Sequence, residues 1–542
     1  MGMADTDHRN SLSDWERAEI TGHGLSIELA ARQLHQMREG VKKLEPSDAV
    51  RLDNGFLPAL ERRQLNDLAG RFSAVETAFP SVSFIPAAGE ASRLFRLFRE
   101  IIHQGEDLKT SLERLAAEGR RQDSRDLARL FRALQKGGMP FSNLLARAAK
   151  KESFRLEEAL ASGDASAVFL FLLQRMRYEK LPKALLAVHS YGENDCRSAL
   201  EEHIRFAVRL CPGPPALHFA VSREHRRSLA EAAEVVRKKL RREKQAADFL
   251  ISFSCQDPAT DALVLDLRDG RALRHPRTGR LVIRRAGHGA LLDNLDQIRD
   301  FHGFWIRNID NVTREGLNPR LITWRRAMRV LARDLEEQIF AWRRLLESGQ
   351  ADRSTCKKIL VFIREKLFFR ADFNPLLNLP ASKRKRALAA LLDRPLAVVG
   401  YVPLPPGQKG GGGFILPVKI DCAGLELTVE KATTIELHEL AGGRENELFK
   451  TRASHFNPVD LYLTRRDFRG RPFNLLEFAD PQRAMVDDKD LFPGIPSRIW
   501  EHPGLWNGGM ARVFQLSLAI PAFAFAPVKE LQDLLHPAHR GK

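Results

Sequence analysis

The sequence has few cysteines and no obvious use for them in pairs. The five are Cys196, Cys211, Cys255, Cys356 and Cys422. Their number is odd and no two form a C-x-x-C pair, so neither a disulfide framework nor a zinc knuckle is expected, and a reducing cytoplasm suits them. There is no run of about 20 uncharged apolar residues of the kind that crosses a bilayer. The nearest approach, Leu516 to Val528, is short and carries Pro521 and Pro527. Met1 to Glu19 is polar and charged and lacks the apolar stretch of a secretory signal. The expected location is therefore cytoplasmic, with no membrane partner. Tyrosine is scarce, at four residues, which counts against an aromatic-lined surface for nucleic acid. His438 and Glu439 stand side by side without the second histidine of a metalloprotease helix. No repeat at solenoid periods is present.

What is abundant is positive charge. Lys and Arg number 86 against 69 Asp and Glu, a formal net charge of +17, which implies an anionic partner. The basic residues are spread along the chain. The local runs Arg237 to Lys244 and Lys383 to Arg386 fall in helical contexts and read as solvated faces. The anion could be a nucleotide, a sugar phosphate, nucleic acid or a membrane surface, and the scatter of the basic residues counts against nucleic acid.

The pattern of apolar residues divides the chain. Leu29, Leu34 and Met37, then Leu57, Leu60, Leu65 and Leu68, recur at helical spacing, so 1–78 is read as an N-terminal helical extension. An α/β core is expected over 79–318, with a helical insertion at about 104–176. Its strands are predicted at 82–86, 184–188, 216–221, 249–253 and 304–309, and a helix at 224–244. A helical region follows over 319–392. An α+β part over 393–542, in which the Pro/Gly-rich stretch Pro403 to Gly413 is followed by a β-rich segment, is expected to complete the active site. The fold class is α/β: a Rossmann-like mixed, mostly parallel sheet flanked by helices, with N-terminal and inserted helical segments and a β-rich C-terminal part. In such sheets ligands sit beyond the carboxyl ends of the strands.

One stretch fits that rule closely. The apolar run Val82 to Ile85 is followed by the small residues Ala87, Ala88, Gly89, Ala91 and Ser92, and Arg93 then opens an amphipathic helix. A strand, a small-residue turn and a helix start present free backbone N–H groups and a positive dipole end to phosphate, and Arg93 adds a fork of charged donors. An ordinary tight turn with a surface arginine is the alternative. Further on, Pro182 fixes the backbone before Lys183, which precedes a short apolar run and can reach phosphate from a sheet edge. Lys409 to Phe414 contains four successive glycines but no following helix, and reads as a flexible hairpin loop.

These stretches resemble a known family. Ala87-Ala-Gly-Glu-Ala-Ser-Arg-Leu94 is similar to the A-G-G-x-G-T-R-L loop of the nucleotidyltransferases that make nucleotide sugars, and Pro182-Lys-Ala-Leu-Leu-Ala-Val188 to their P-K-x-L-x-P-V segment. Phe253-Ser-Cys-Gln256 resembles the F-x-Q that reads the base edge in uridine-diphosphate-sugar pyrophosphorylases. Arg285-Ala-Gly-His-Gly289 resembles their G-H-G turn near base and ribose. Arg307-Asn-Ile-Asp-Asn-Val312 resembles their metal-holding D-N, and Phe525-Ala-Pro-Val-Lys-Glu-Leu-Gln-Asp-Leu-Leu535 their F-x-P-V-K-x-x-x-D-L-L. The chain from about residue 57 onward also resembles the family called domain of unknown function 4301, through Leu181-Pro-Lys183, Gly287-His-Gly-Ala-Leu-Leu292, Asn308-Ile-Asp-Asn311, His455-Phe-Asn-Pro-Val-Asp460 and Pro503-Gly-Leu-Trp-Asn-Gly508. That name brings no activity with it.

The resemblance implies a nucleotide-diphospho-sugar transferase (GT-A-like) fold. It also implies transfer of a nucleoside monophosphate from a triphosphate, uridine triphosphate favoured, to a sugar 1-phosphate or similar small phosphate. Phosphoryl-type chemistry asks the protein for cations and positioning more than for a base. Arg93, Lys183 and Lys529 are the expected catalytic cations, and Asp310 the ligand of Mg²⁺. Ala87, Ala88, Gly89, Ser92, Gln256, Gly287, His288 and Gly289 are the expected nucleotide contacts. For Gln256 a polar loop residue, and for His288 a structural turn, remain the alternatives. Asn457 and Asn507 are candidate sugar-binding residues, with turn roles as the alternative, and Trp506 reads as core. Ala88 and Ala91 stand where the related loops carry glycine. Each methyl restricts backbone approach, so the alternative is a non-catalytic nucleotide or nucleotide-sugar binding protein on the same fold.

Overall fold

The computed structural model describes residues 12–89, 94–192, 194–245, 248–404, 412–436, 439–440, 447, 451–480 and 482–540. Ser92 and Arg93 lie outside the described residues, with Ala91, His438 and 409–411 of the glycine run. The chain divides into two compact units. The first comprises residues up to Phe84, Ser254–Ile306 and Arg326–Pro521; the second comprises Ile85–Phe253, Arg307–Arg325 and residues from Ala522 onward.

The first unit is built on a mixed sheet. Its central strand, Leu396–Pro403, is apolar along both faces and buried at all but its last position, the pattern of a strand covered on two sides. It pairs in parallel with Phe514–Ala519 and antiparallel with Asp460–Thr464. Farther out, Gly412–Asp421 and Glu426–Ile435 form a long antiparallel hairpin. Gly303–Arg307 and Ser81–Pro86 run in parallel, with Phe84 opposite Ile306. The helices Arg353–Lys366 and Ala381–Leu392 belong to the same unit, as does most of the long helix Asn318–Glu347.

A second, four-stranded antiparallel sheet orders Met485–Asp488, Ser497–Glu501, Ala262–Asp266 and Ile283–Arg284. Two N-terminal helices cover it, Asp14–His23 and Ile27–Glu39. Each starts at a serine whose side chain accepts an orphan amide, and Ser13 with Glu16 completes a capping box. Leu34 and Met37, expected from their spacing to face a core, pack with Ile20, Leu263 and Trp500.

The second unit carries the helices expected between 104 and 176. They run from Leu108–Ala117 to Ala165–Leu170, and Phe98 stacks on Phe169 with ring centroids 3.7 Å apart. Ala216–Val221 is buried at every position and lies beside Leu250–Cys255. The helix Arg226–Arg242 follows it. The strand expected at 184–188 begins later. Pro182, at φ −65°, leads into a single 3₁₀ turn, Lys183–Leu185, and the strand is Ala187–Ser190, paired with Cys196–Ser198. The helix expected to open at Arg93 begins at Arg96.

Candidate functional site

Lys183 and Asp310 meet in the second unit. The 3₁₀ turn after Pro182 holds Lys183, and Asp310 follows the end of the strand Gly303–Arg307. Lys183 Nζ lies 3.7 Å from Asp310 Oδ2, and each side chain keeps about a fifth of its surface exposed (20% and 19%). At that distance the pair is a loose ion pair without a tight hydrogen bond.

The turn that carries Asp310 is fixed from two sides. His203, on the helix Ala199–Leu210, places Nε2 3.2 Å from the Ile309 carbonyl. Burial, then the nearby Arg307 guanidinium, pushes the His203 imidazole down to about 3, so it stays neutral and donates its N–H. On the other side, Asn311 holds the C-terminal segment: its Oδ1 accepts the Ala526 N–H at 3.1 Å, and its Nδ2 donates to the Ala524 carbonyl at 3.4 Å. Val312 N–H then donates to Ala526 O, and Val528 N–H to Asp310 O, at 3.1 and 2.9 Å. Lys529, one residue beyond, is therefore held next to the Asp310 backbone. Its own N–H is capped by Asp533, its side chain is exposed, and its ammonium lies 5.8 Å from the Phe525 ring centre.

Beside the Lys183–Asp310 pair runs a narrow crevice with apolar walls, among them Leu94, Phe95, Phe141, Ile309 and Val528. Tyr178 also lines it, edge-on to Phe95 and Phe141. Of the small-residue loop, Ala87 is buried and its N–H donates to the Ala220 carbonyl at 2.8 Å, so this amide is spent within the sheet. Ala88 is half-buried and Gly89 exposed, with open space where a Gly89 side chain would stand.

The other expected contacts belong to the first unit. Gln256 donates its amide to Asp261 Oδ1 at 3.0 Å, and Asp261 also pairs with His23. Gln256 is thus engaged by a neighbour five residues along its own chain. Gly287 has φ +74°, and a side chain there would meet Glu501 Oε2 at 2.7 Å; one on Gly289 would lie 1.9 Å from the Pro503 carbonyl oxygen. The two glycines let the 287–289 turn press against 501–503. His288 stacks on Trp506, centroids 4.4 Å apart and planes 16° from parallel. Burial pushes the His288 imidazole down to about 4. Two motifs that lie far apart in sequence, Gly287-His-Gly289 and Pro503 to Gly508, thus form one packed cluster.

Asn457 donates to the Gly400 carbonyl at 2.8 Å and accepts from Val459 N–H at 3.0 Å, the geometry of a residue that holds its own turn. Asn507 differs: it is 1% exposed, and both its Oδ1 and Nδ2 are buried with no hydrogen-bond partner among the described residues. His203 and Asn311 were not singled out by sequence. The only signal for Asn311 is its place after the aspartate in Asn308-Ile-Asp-Asn311.

Among solved structures the chain is similar to UDP-glucose pyrophosphorylase from Leishmania major in its open and closed structures. The identity is 11%, over 97% of this chain and 79% of that one, with a TM-score of 0.44. A point mutant of that enzyme in complex with UDP-glucose gives 11%, the same coverages and 0.43. A second point mutant gives 12%, again with the same coverages, and 0.43. No curated protein matches the sequence. The model of the family described as domain of unknown function (DUF4301) matches residues 13–540, so the chain belongs to that family.

Proposed function

We propose that this chain is a metal-dependent nucleotidyltransferase that moves a nucleoside monophosphate from a triphosphate, uridine triphosphate favoured, onto a sugar 1-phosphate or similar small phosphate, releasing pyrophosphate. The observation that carries the reading is the approach of Lys183 to Asp310, with the segment bearing Lys529 hydrogen-bonded to the Asp310 carbonyl. Three sequence-distant segments that each resemble a phosphate- or metal-binding motif converge on one place. Lys183 and Lys529 neutralise phosphate oxygens and orient the two anions for in-line attack. Arg93 is assigned the same task from sequence alone.

Asp310 is the candidate ligand of Mg²⁺. No group of three or more His, Cys, Asp or Glu able to hold a metal occurs among the described residues. A single carboxylate still fits this ion, which is commonly bound through one or two carboxylates together with substrate phosphates and water. When bound, the metal supplies charge neutralisation at the phosphates. The loose 3.7 Å pair suits that use, because little is lost when Lys183 and Asp310 part around an anion and its cation.

The test is a thermal-shift panel of nucleoside triphosphates with Mg²⁺, followed by pyrophosphate release with a panel of sugar 1-phosphates. Stabilisation by a triphosphate, and release lost in Lys183→Ala and Asp310→Ala, is the expected result. No shift with any triphosphate at millimolar concentration overturns the reading. The second reading is a nucleotide or nucleotide-sugar binding protein without turnover. It is favoured by the Ala87 amide, already bonded to Ala220, which leaves the loop one phosphate donor fewer. A shift without pyrophosphate release in any combination selects it.

A further inference from the structure

All the residues that line the crevice beside Lys183 and Asp310 belong to the second unit, and all but those two are buried. The ion pair therefore stands at the opening, and the crevice runs inward from it. Leu186, Ala199, Leu531 and Leu534 extend its apolar walls. Of the buried side chains that line it, only Tyr178 carries a polar atom. The space comes to about 400 Å³ with the open mouth included, the low end for a small-molecule site.

The backbone of the walls is largely spent on itself. Ala199 N–H donates to the Leu186 carbonyl at 3.3 Å, Leu186 N–H to the Lys183 carbonyl at 3.2 Å, and Val528 N–H to the Asp310 carbonyl at 2.9 Å. The Ile309 carbonyl already accepts from His203 Nε2. A hexose carries a hydroxyl on almost every carbon, and a buried hydroxyl without a partner is costly. One tyrosine cannot serve such a ring. An alkyl or alkenyl group has no such need, and each methylene it moves out of water favours binding. At the opening, Lys183 supplies the positive charge that a phosphate requires.

We infer that the crevice takes the short apolar group of a phosphate monoester, whose phosphate sits at Lys183 in the opening. The occupant is a free small molecule, because the space, phosphate included, holds a tail of a few carbons and not a lipid chain. The binding stands on the crevice alone; its place in a reaction rests on the nucleotidyl-transfer reading. Under that reading the monoester is the acceptor, the small phosphate that is not a sugar 1-phosphate. One of its phosphate oxygens attacks the α-phosphorus of the triphosphate and forms a new P–O bond. The bond from the α-phosphorus to the oxygen shared with the β-phosphate breaks, and pyrophosphate leaves with the electron pair. With every phosphate ionised, a monoester dianion and a triphosphate tetraanion give an alkyl nucleoside diphosphate dianion and a pyrophosphate tetraanion. No proton and no further reactant is needed.

The experiment is calorimetric titration of the full chain, with Mg²⁺, against inorganic phosphate, glucose 1-phosphate, and n-alkyl phosphates from methyl to octyl with their parent alcohols. Kd for the alkyl phosphates is expected to fall about threefold to fourfold per methylene, then to level off once the tail fills the crevice. Glucose 1-phosphate is expected to bind no tighter than methyl phosphate, and the alcohols far more weakly than their phosphates. Ala199→Leu narrows the crevice and should flatten the series, whereas Leu534→Ala widens it and should move the plateau to a longer tail. Lys183→Met, at the partly exposed opening, should weaken every alkyl phosphate by a common factor of about tenfold or more, with the gain per methylene unchanged. A Kd independent of tail length, an alcohol that binds as well as its phosphate, or a series that the folded variants leave unmoved overturns the proposal. A Kd that still falls at octyl marks a lipid chain running out of the crevice and overturns the small-molecule assignment. Tail-length dependence in a protein that releases no pyrophosphate from any triphosphate sinks the reaction and leaves the crevice assignment standing. Pyrophosphate release with glucose 1-phosphate and with no alkyl phosphate keeps the reaction and sinks this acceptor.

Discussion

Asn311 holds Ala526 by its backbone: Oδ1 accepts the Ala526 N–H at 3.1 Å, deep enough that Asn311 is 1% exposed. The same side chain reaches the Ala524 carbonyl, and Arg307 leans on the same Oδ1 at 3.3 Å. Asn311→Ala would strand a buried donor and weaken a buried acceptor. The expected cost is about 1–3 kcal/mol, the range for orphaned buried groups. A urea titration checks it: the midpoint should fall with an unchanged slope, and an unmoved midpoint would show that the C-terminal segment does not depend on this side chain.

The glycines of the two resembling motifs should respond in opposite ways to the same methyl. At Gly289 the new Cβ would lie 1.9 Å from a backbone carbonyl oxygen, which cannot swing away like a flexible side chain. Gly289→Ala should cost at least the roughly 1–3 kcal/mol of an overpacked core, with little soluble protein recovered. At Gly89 the methyl meets nothing within 4 Å. Gly89→Ala should melt within a degree or two of wild type, an effect on the order of the ±0.5 kcal/mol of surface substitutions. Any change it brings should appear in triphosphate affinity, where the loop backbone has to approach the ligand.

Lys183 and Asp310 should separate activity from stability. Their contact is long and partly exposed, and such pairs contribute about 0–1 kcal/mol. Lys183→Met and Asp310→Asn should therefore unfold within about 1 kcal/mol of wild type. Both should lose pyrophosphate release by a factor of roughly 10²–10³, the size of losing one charge-stabilising group. Loss of stability in step with activity would assign the pair to the fold instead.

The parts of the fold that were legible in sequence are those in which a residue's neighbours in sequence decide its environment. Ala216 to Val221 reads as a buried strand because all its residues but His218 are apolar, and the strand has those bounds. Leu34 and Met37 fall on one helical face and are buried there. Lys183 was legible through Pro182, although the 3₁₀ turn it starts was not, because a one-turn element has no periodicity to read. Asn311 and His203 were illegible as structural residues for a different reason. Their partners, Ala526 and the Ile309 carbonyl, are distant in sequence and are backbone groups, which carry no side-chain signature. Gly287 to Gly289 was legible as a turn but not as one half of a cluster, since only the structure brings Trp506 onto His288.

Acid should destabilise the protein before its carboxylates are neutralised. Burial holds His203 near 3 and His288 near 4 in the folded chain, whereas an unfolded histidine titrates at about 6.5. As pH falls below about 6.5, the unfolded state binds protons that the folded state refuses, so unfolding gains about 1.4 kcal/mol per pH unit for each such histidine. The loss continues down to the folded-state value, where the folded chain also takes up the proton and the slope ends. The His203 contribution is thus fully present above about pH 6.5 and is lost progressively towards about pH 3. His203→Gln keeps a donor for the Ile309 carbonyl and cannot titrate. Urea midpoints measured from neutral pH down to about 4, within that window, should therefore fall less steeply in the variant than in wild type, by about one proton's worth. Parallel slopes for the two proteins would mean that His203 is protonated in the folded chain, and that the turn carrying Asp310 is held by a cation.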